Sequence, residues 1–235
     1  MKKILSVVLA FSLLTGVNAN ATSYDDSLYV SEEQYLNGPD YYSEEYQSEL
    51  DLDDLYRSIQ VQSSTDDEQP EQRTLTITGH LQENSYYCGP ASAQIVIQHD
   101  TGTLYLQSTL ASYMQTNSSN GTYVYRLCNA LNTYTNKTYY YRLASQYSLF
   151  SYLYQNINNN KLMVLNMDMT YVDSTYTSHT GHYVVACGYY KSATGTPQTN
   201  KVYYYDPYSP HAGYHWATEA AIINGTNHNA GYFIC

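Results

Sequence analysis

The sequence predicts an α+β fold, on three observations. Segments with helical apolar spacing come first, over 88–157, and apolar strand runs follow over 162–206, so the elements do not alternate as βαβ units. The segment 88–99 carries so little polar surface that it reads as a buried central helix. No fixed repeat period emerges, which excludes a solenoid or array.

Taken in order, 75–78 alternates as a short strand. In 88–99, Pro90 suits a first helical turn, and Ala91, Ala93, Ile95, Val96 and Ile97 supply the apolar surface. Two further helices are expected over 104–114 and 122–131. A strand is expected over 139–143. The segment 146–157 reads as a helix with Leu149, Tyr152 and Leu153 on one face. Strands are expected over 162–167, 182–190 and 201–206, the last two joined by a loop holding Gly195 and Pro197. A helix is expected over 216–223.

Composition divides the 235 residues into three. Residues 1–21 read as a secretory signal: Lys2 and Lys3, an apolar run over 4–14, and the A-x-A site Ala19-Asn20-Ala21. That run is too short for a stable membrane span, so an exported chain without a membrane anchor is expected. Residues 22–73 hold 15 acids against Arg57 and Arg73. Such a segment stays largely disordered alone, with one weak amphipathic helix over 44–59 suited to a partner surface. It reads as a propeptide that covers an active site, with a solvated spacer as the alternative. Arg73 offers a site for release by a trypsin-like protease. Residues 74–235 form the third part and carry six acids and six bases, so no basic patch exists to hold nucleic acid. A monomer is expected.

Four cysteines are too few for a disulfide scaffold, and 74–235 is long enough for a self-sufficient core. If Cys88 is a nucleophile, Cys128, Cys187 and Cys235 allow at most one bridge, and spacing does not choose it. The 31 tyrosines supply stiff aromatic area with a polar tip, suited to half-buried positions.

Two segments carry chemistry: Gln82-Glu83-Asn84-Ser85-Tyr86-Tyr87-Cys88-Gly89-Pro90-Ala91-Ser92, and Gly181-His182-Tyr183-Val184-Val185. The first puts a thiol where a loop becomes a helix. There the backbone N–H groups and the helix dipole favour thiolate. The same N–H groups can meet an oxyanion, with the Gln82 amide as second donor. The second puts an imidazole at the head of an apolar strand. By strand alternation His182, Val184, Ala186 and Gly188 share one face, and Cys187 points to the other. A hairpin symmetric about Thr194 sets Asp206 directly opposite His182, where a carboxylate orients an imidazole. The pairs His179-x-x-His182 and His211-x-x-x-His215 have ligand-like spacing, yet no Cys or carboxylate nearby completes a metal site. No nucleotide fingerprint is present, and no cofactor is expected.

These residues, together with Gly121-Thr122, Leu131-Asn132 and Asp206-Pro207-Tyr208, resemble the C39-like cysteine peptidases of the papain-like superfamily. The resemblance spans nearly all of 74–235. It implies a papain-like α+β fold, with a helical part bearing the cysteine packed on a twisted antiparallel sheet bearing the histidine. It implies Cys88 as nucleophile, His182 as general base and acid, Asp206 as orienter and Gln82 as oxyanion donor. Peptide or protein is then the substrate. Two other readings are an amidase or transpeptidase acting on cell-wall or γ-glutamyl peptides, and a non-catalytic tyrosine-rich interaction protein.

Overall fold

The structure is a computed structural model and describes residues 69–145 and 148–235. The signal, the 44–59 helix and most of the acidic segment lie outside the described residues. Seven strands form one antiparallel sheet: β1 (Glu71–Thr74), β2 (Tyr141–Leu143), β3 (Met163–Asp168), β4 (Gly181–Lys191), β5 (Lys201–Asp206), β6 (Gly213–Thr218) and β7 (Tyr232–Ile234). Their order is β2-β7-β3-β4-β5-β6, with β1 paired to β4 beyond the end of β3. Among the described residues, five α-helices pack around it: α1 (Cys88–Thr101), α2 (Gln107–Tyr113), α3 (Val124–Tyr134), α4 (Leu149–Asn158) and α5 (Glu219–Asn227). The α+β expectation is borne out.

The core forms where α1 meets β4. Helix α1 is buried without a break from Cys88 to Ile97, as its apolar run requires. Strand β4 is buried from His182 to Tyr189, on both alternating faces, so it is covered on two sides. Tyrosine does much of the filling. Tyr139 and Tyr189 are fully buried, and each hydroxyl donates to a carboxylate, Asp100 and Glu71 respectively. This matches the physical expectation that a buried phenol finds a partner for its polar tip.

Three elements differ from the sequence expectation. The first strand lies at Glu71–Thr74 rather than 75–78. Leu75 and Ile77 still bury their side chains, and Leu75 N–H donates to Cys187 O at 2.7 Å, but the regular ladder with β4 is made by the polar residues before them. Glu71 accepts from the Tyr189 hydroxyl at 2.5 Å and the Tyr154 hydroxyl at 3.1 Å, which clasps β1 to the sheet and to α4. Arg73, placed by composition in the acidic segment, therefore sits inside the sheet opposite Tyr189. The second difference is at 216–223, where a strand and a helix meet. Trp216 belongs to edge strand β6, and α5 begins only after Thr218, whose hydroxyl accepts from Ala221 N–H. Pairing with β5 decides this, since Tyr203 lies opposite Trp216. The third is β7, too short at three residues to show a period.

One buried carboxyl gives the fold a pH dependence. Glu219 opens α5 at 2% exposure and accepts from Asn200 Nδ2 at 3.0 Å. Burial pushes its carboxyl from 4.5 up to about 7, and the Asn200 bond only partly offsets this. The folded state thus holds the proton more tightly than the unfolded chain. The stability this contributes is full below pH 4.5 and lost as pH rises through about 7. Glu219→Gln is expected to exceed wild type in urea unfolding near pH 8 by no more than about 3 kcal/mol, and to match it in acid. Equal stability in base would mean that the ionised carboxylate is fully compensated.

Candidate active site

The site is assembled from the first turn of α1, the start of β4 and the end of β5. Helix α1 begins at Cys88 with no side-chain cap. Its first N–H groups have no partner within the helix, and Pro90 removes one of them. Gly89 lies against Thr122: a Cβ there would collide with the threonine Oγ1. The turn that carries the thiol is thus seated directly on Thr122, whose carbonyl accepts from the Tyr183 hydroxyl at 2.8 Å. That bond ties the floor of the turn to the strand bearing the histidine.

The Cys88 thiol lies beside the His182 imidazole, whose bonding and charge act on it, as do more weakly the backbone N–H groups of Tyr183 and Gly89. Burial pushes the thiol up, but the imidazole's bond and charge outweigh it, and the net direction is down. The imidazole moves the other way. Burial pushes it down, while Asp206 and Cys88 hold its proton, and it rises to about 9. Opposite shifts on neighbouring groups favour the thiolate beside the imidazolium.

Asp206 is 1% exposed, and its Oδ1 accepts from His182 Nε2 at 2.8 Å and from Tyr208 N–H at 2.8 Å. Its Oδ2 accepts from the Tyr176 hydroxyl at 2.6 Å. Burial pushes this carboxyl up, yet His182, Tyr176 and Tyr208 together hold it below the usual carboxylate range. With Nε2 committed to Asp206, Nδ1 is the nitrogen that faces the thiol.

The contact between His182 and Asp206 was expected, but not by this geometry. The β4–β5 ladder pairs Val185 with Tyr205 and Ala186 with Tyr204, which carries Asp206 opposite Val184 and diagonal to His182. The symmetric hairpin is wrong by two residues. Because side chains alternate with period two, an even slip leaves Asp206 on the histidine's face. A bulge at Cys187 makes this so. Beyond it Gly188 pairs with Tyr203, and that offset, continued without the extra residue, would turn Asp206 to the opposite face. Cys187 itself is buried and its thiol is pushed up to about 12, which leaves it unreactive.

Gln82 lies in the loop before α1, where its N–H donates to Pro207 O at 2.8 Å, next to Asp206. Its side-chain Nε2 donates to Asn84 O at 2.8 Å. That bond sets the amide orientation and leaves a second hydrogen on Nε2. No hydrogen bond joins it to Cys88 among the described contacts. His179 turns to Asp168 at 2.8 Å, while His182 turns to Asp206, so that histidine pair does not converge. Among the described residues no group of three or more His, Cys, Asp or Glu is placed to hold a metal, and no helix is long and apolar enough to cross a membrane. All four cysteines are thiols.

Sequence reasoning did not find Tyr176 or the Tyr183 and Tyr208 N–H groups. Tyr176 is one of 31 tyrosines in a polar stretch with no period. Main-chain donors leave no mark on side-chain identity.

Compared with known proteins, the chain matches the Peptidase_C39 like family over residues 67–228, well over half its length. No curated protein matches the sequence significantly. Among solved structures, the peptidase domain of Streptococcus ComA, a bi-functional ABC transporter involved in a quorum sensing pathway, is similar at 16% identity and TM-score 0.45, covering 66% of this chain and 94% of that one. A C39-like peptidase from Bacillus anthracis is similar at 14% identity and TM-score 0.48, over 70% and 96%. The bromelain protease of Ananas comosus, in complex with the E64 inhibitor, is similar at 13% identity and TM-score 0.44, over 71% and 97%.

Proposed function

The chain belongs to the Peptidase_C39 like family, and from that membership we propose an exported cysteine peptidase that hydrolyses peptide bonds through Cys88, His182 and Asp206. The observation that carries the reading is the buried thiol–imidazole contact backed by the 2.8 Å bond to Asp206. The Cys88 thiolate attacks the scissile carbonyl carbon. The oxyanion lies against the Cys88 N–H and the free hydrogen of Gln82 Nε2. His182 gives its Nδ1 proton to the leaving amine as the C–N bond breaks. It then takes a proton from the water that attacks the acyl-enzyme, and the thiolate leaves. Asp206 keeps the imidazole oriented through Nε2 and stabilises its charged form.

Export and the acidic propeptide belong to the same proposal and rest on the pattern of residues 1–73. Release after Arg73 would remove most of β1, including Glu71 and its bonds to Tyr189 and Tyr154. Release upstream of Glu71 keeps the sheet whole, and is the form of maturation proposed here.

The test treats the purified chain, with the acidic segment trimmed by limited proteolysis, with an epoxide thiol inhibitor and with a peptide mixture. Mass spectrometry should find one adduct, on Cys88, and cleaved peptides that disappear once the adduct forms. Labelling at Cys88 with turnover of wall peptides alone would favour the amidase reading. Absence of both labelling and turnover would favour a non-catalytic protein.

A further inference from the structure

We propose that Tyr176 is a positioning residue for the catalytic carboxylate, and that the segment between β3 and β4 exists in part to deliver its hydroxyl. The inference rests on the peptidase reading and adds a fifth side chain to Cys88, His182, Asp206 and Gln82. Asp206 presents two oxygens in a buried setting. Oδ1 already accepts from His182 and from the Tyr208 N–H. Oδ2 accepts from the Tyr176 hydroxyl at 2.6 Å. A carboxylate held at only one oxygen can rotate about its terminal torsion, which is broad and two-fold. Held at both oxygens, it has one plane, and the imidazole bonded to it has one orientation.

The donor is fixed in its turn. Burial and the bond and charge of Asp206 push the Tyr176 phenol far up, so it keeps its proton and stands toward Asp206 as the donor. Its ring stacks on His211 at 4.0 Å and lies 5.9 Å from the His182 ring. His211 Nδ1 meets Thr175 Oγ1 at 3.0 Å, and Asp173 Oδ1 accepts from both Thr175 N–H at 2.9 Å and Thr175 Oγ1 at 2.7 Å. At the far end of the segment, His179 is tied to Asp168 at 2.8 Å. The His211 contacts join the segment to the loop after β5, the His179 bond ties it back to the end of β3, and Asp206 takes one bond from each loop, through Tyr176 and Tyr208. None of the clasping groups reaches Cys88 in the described contacts. Their joint effect is to set the height of one hydroxyl.

Tyr176 could instead serve only as an aromatic cover. Tyr176→Phe separates the two roles, because it keeps the ring stack and removes the donor. In this variant kcat is expected to fall roughly tenfold, the scale of one hydrogen bond to a buried charge, with KM within about twofold. In an Asp206→Ala background the same change should add nothing, since the oxygen it serves is gone. The rate of Cys88 alkylation by iodoacetamide should also fall, as the ion pair loses its order. Unfolding midpoints measured on all four proteins identify any effect of misfolding.

Wild-type kcat in Tyr176→Phe, or an equal loss in both backgrounds, overturns the proposal. If wild type hydrolyses no peptide, the peptidase reading fails. Alkylation then decides on its own: slower modification in Tyr176→Phe supports the positioning role, and an unchanged rate overturns it.

Discussion

Replacing Cys88 by alanine is expected to abolish peptide hydrolysis, by on the order of 10⁴-fold or more, and to leave the fold intact. The size of the loss follows from the mechanism. No other thiol acts on His182: Cys187, at the bulge, is pushed up to about 12 by burial, and Cys128 is pushed up to about 12 by burial and by its neighbour Cys235. No second nucleophile can therefore take over. The small structural cost follows from the geometry. Alanine keeps the backbone of the α1 turn and its seat on Thr122, and loses one sulfur atom, so destabilisation of about 1 kcal/mol and a melting shift of a few degrees are expected. Kinetics on a peptide substrate, beside thermal unfolding of both proteins, checks both halves. Mass spectrometry of the same samples during incubation adds the question of maturation. Loss of the acidic segment by wild type but not by the variant indicates self-processing, and loss by neither indicates another protease. Full hydrolysis by Cys88→Ala would sink the mechanism.

His182→Ala should cost nearly as much through a different route. The thiol sits where burial pushes it up, and the imidazole is the foremost group pulling it down. With the ring removed, the Tyr183 and Gly89 N–H groups remain, but no counter-charge does. The thiolate fraction at neutral pH collapses, and the leaving amine loses its proton donor. Together these predict a fall in kcat/KM of about 10³–10⁴-fold. The first part can be read without substrate. Cys88 should alkylate slowly in the variant, and only as pH approaches the range of an ordinary buried thiol. In wild type it should react well below that range, because the ion pair forms as the thiol loses its proton to an imidazole held up to about 9. Equal alkylation rates in the two proteins would show that the imidazole does not activate the thiol.

Much of this was legible in the chain. Helix α1 follows from an apolar run and Pro90, and the thiol's place at its head follows from where that run begins. The faces of β4 follow from strict alternation, which put His182 and Cys187 on opposite sides. The pairing of His182 with Asp206 was inferred from a hairpin whose register was wrong, and it held because the slip was even. Tyr176 could not be found, since its bond to Asp206 joins residues 30 positions apart in the chain. The strand Glu71–Thr74 was misplaced because its side chains are exposed, and only the bonding edge of β4 makes it a strand.

Local chemistry in the sequence thus determined the helices before the sheet and the faces of β4, because each depends on periodicities of two or 3.6 residues, and it pointed to the thiol, imidazole and carboxylate. Tertiary structure alone decided the register, the Cys187 bulge that returns Asp206 to the histidine's face, and the donor that holds its second oxygen. These depend on which backbone edges meet and where loops close, and neither is written in the spacing of residues along one strand.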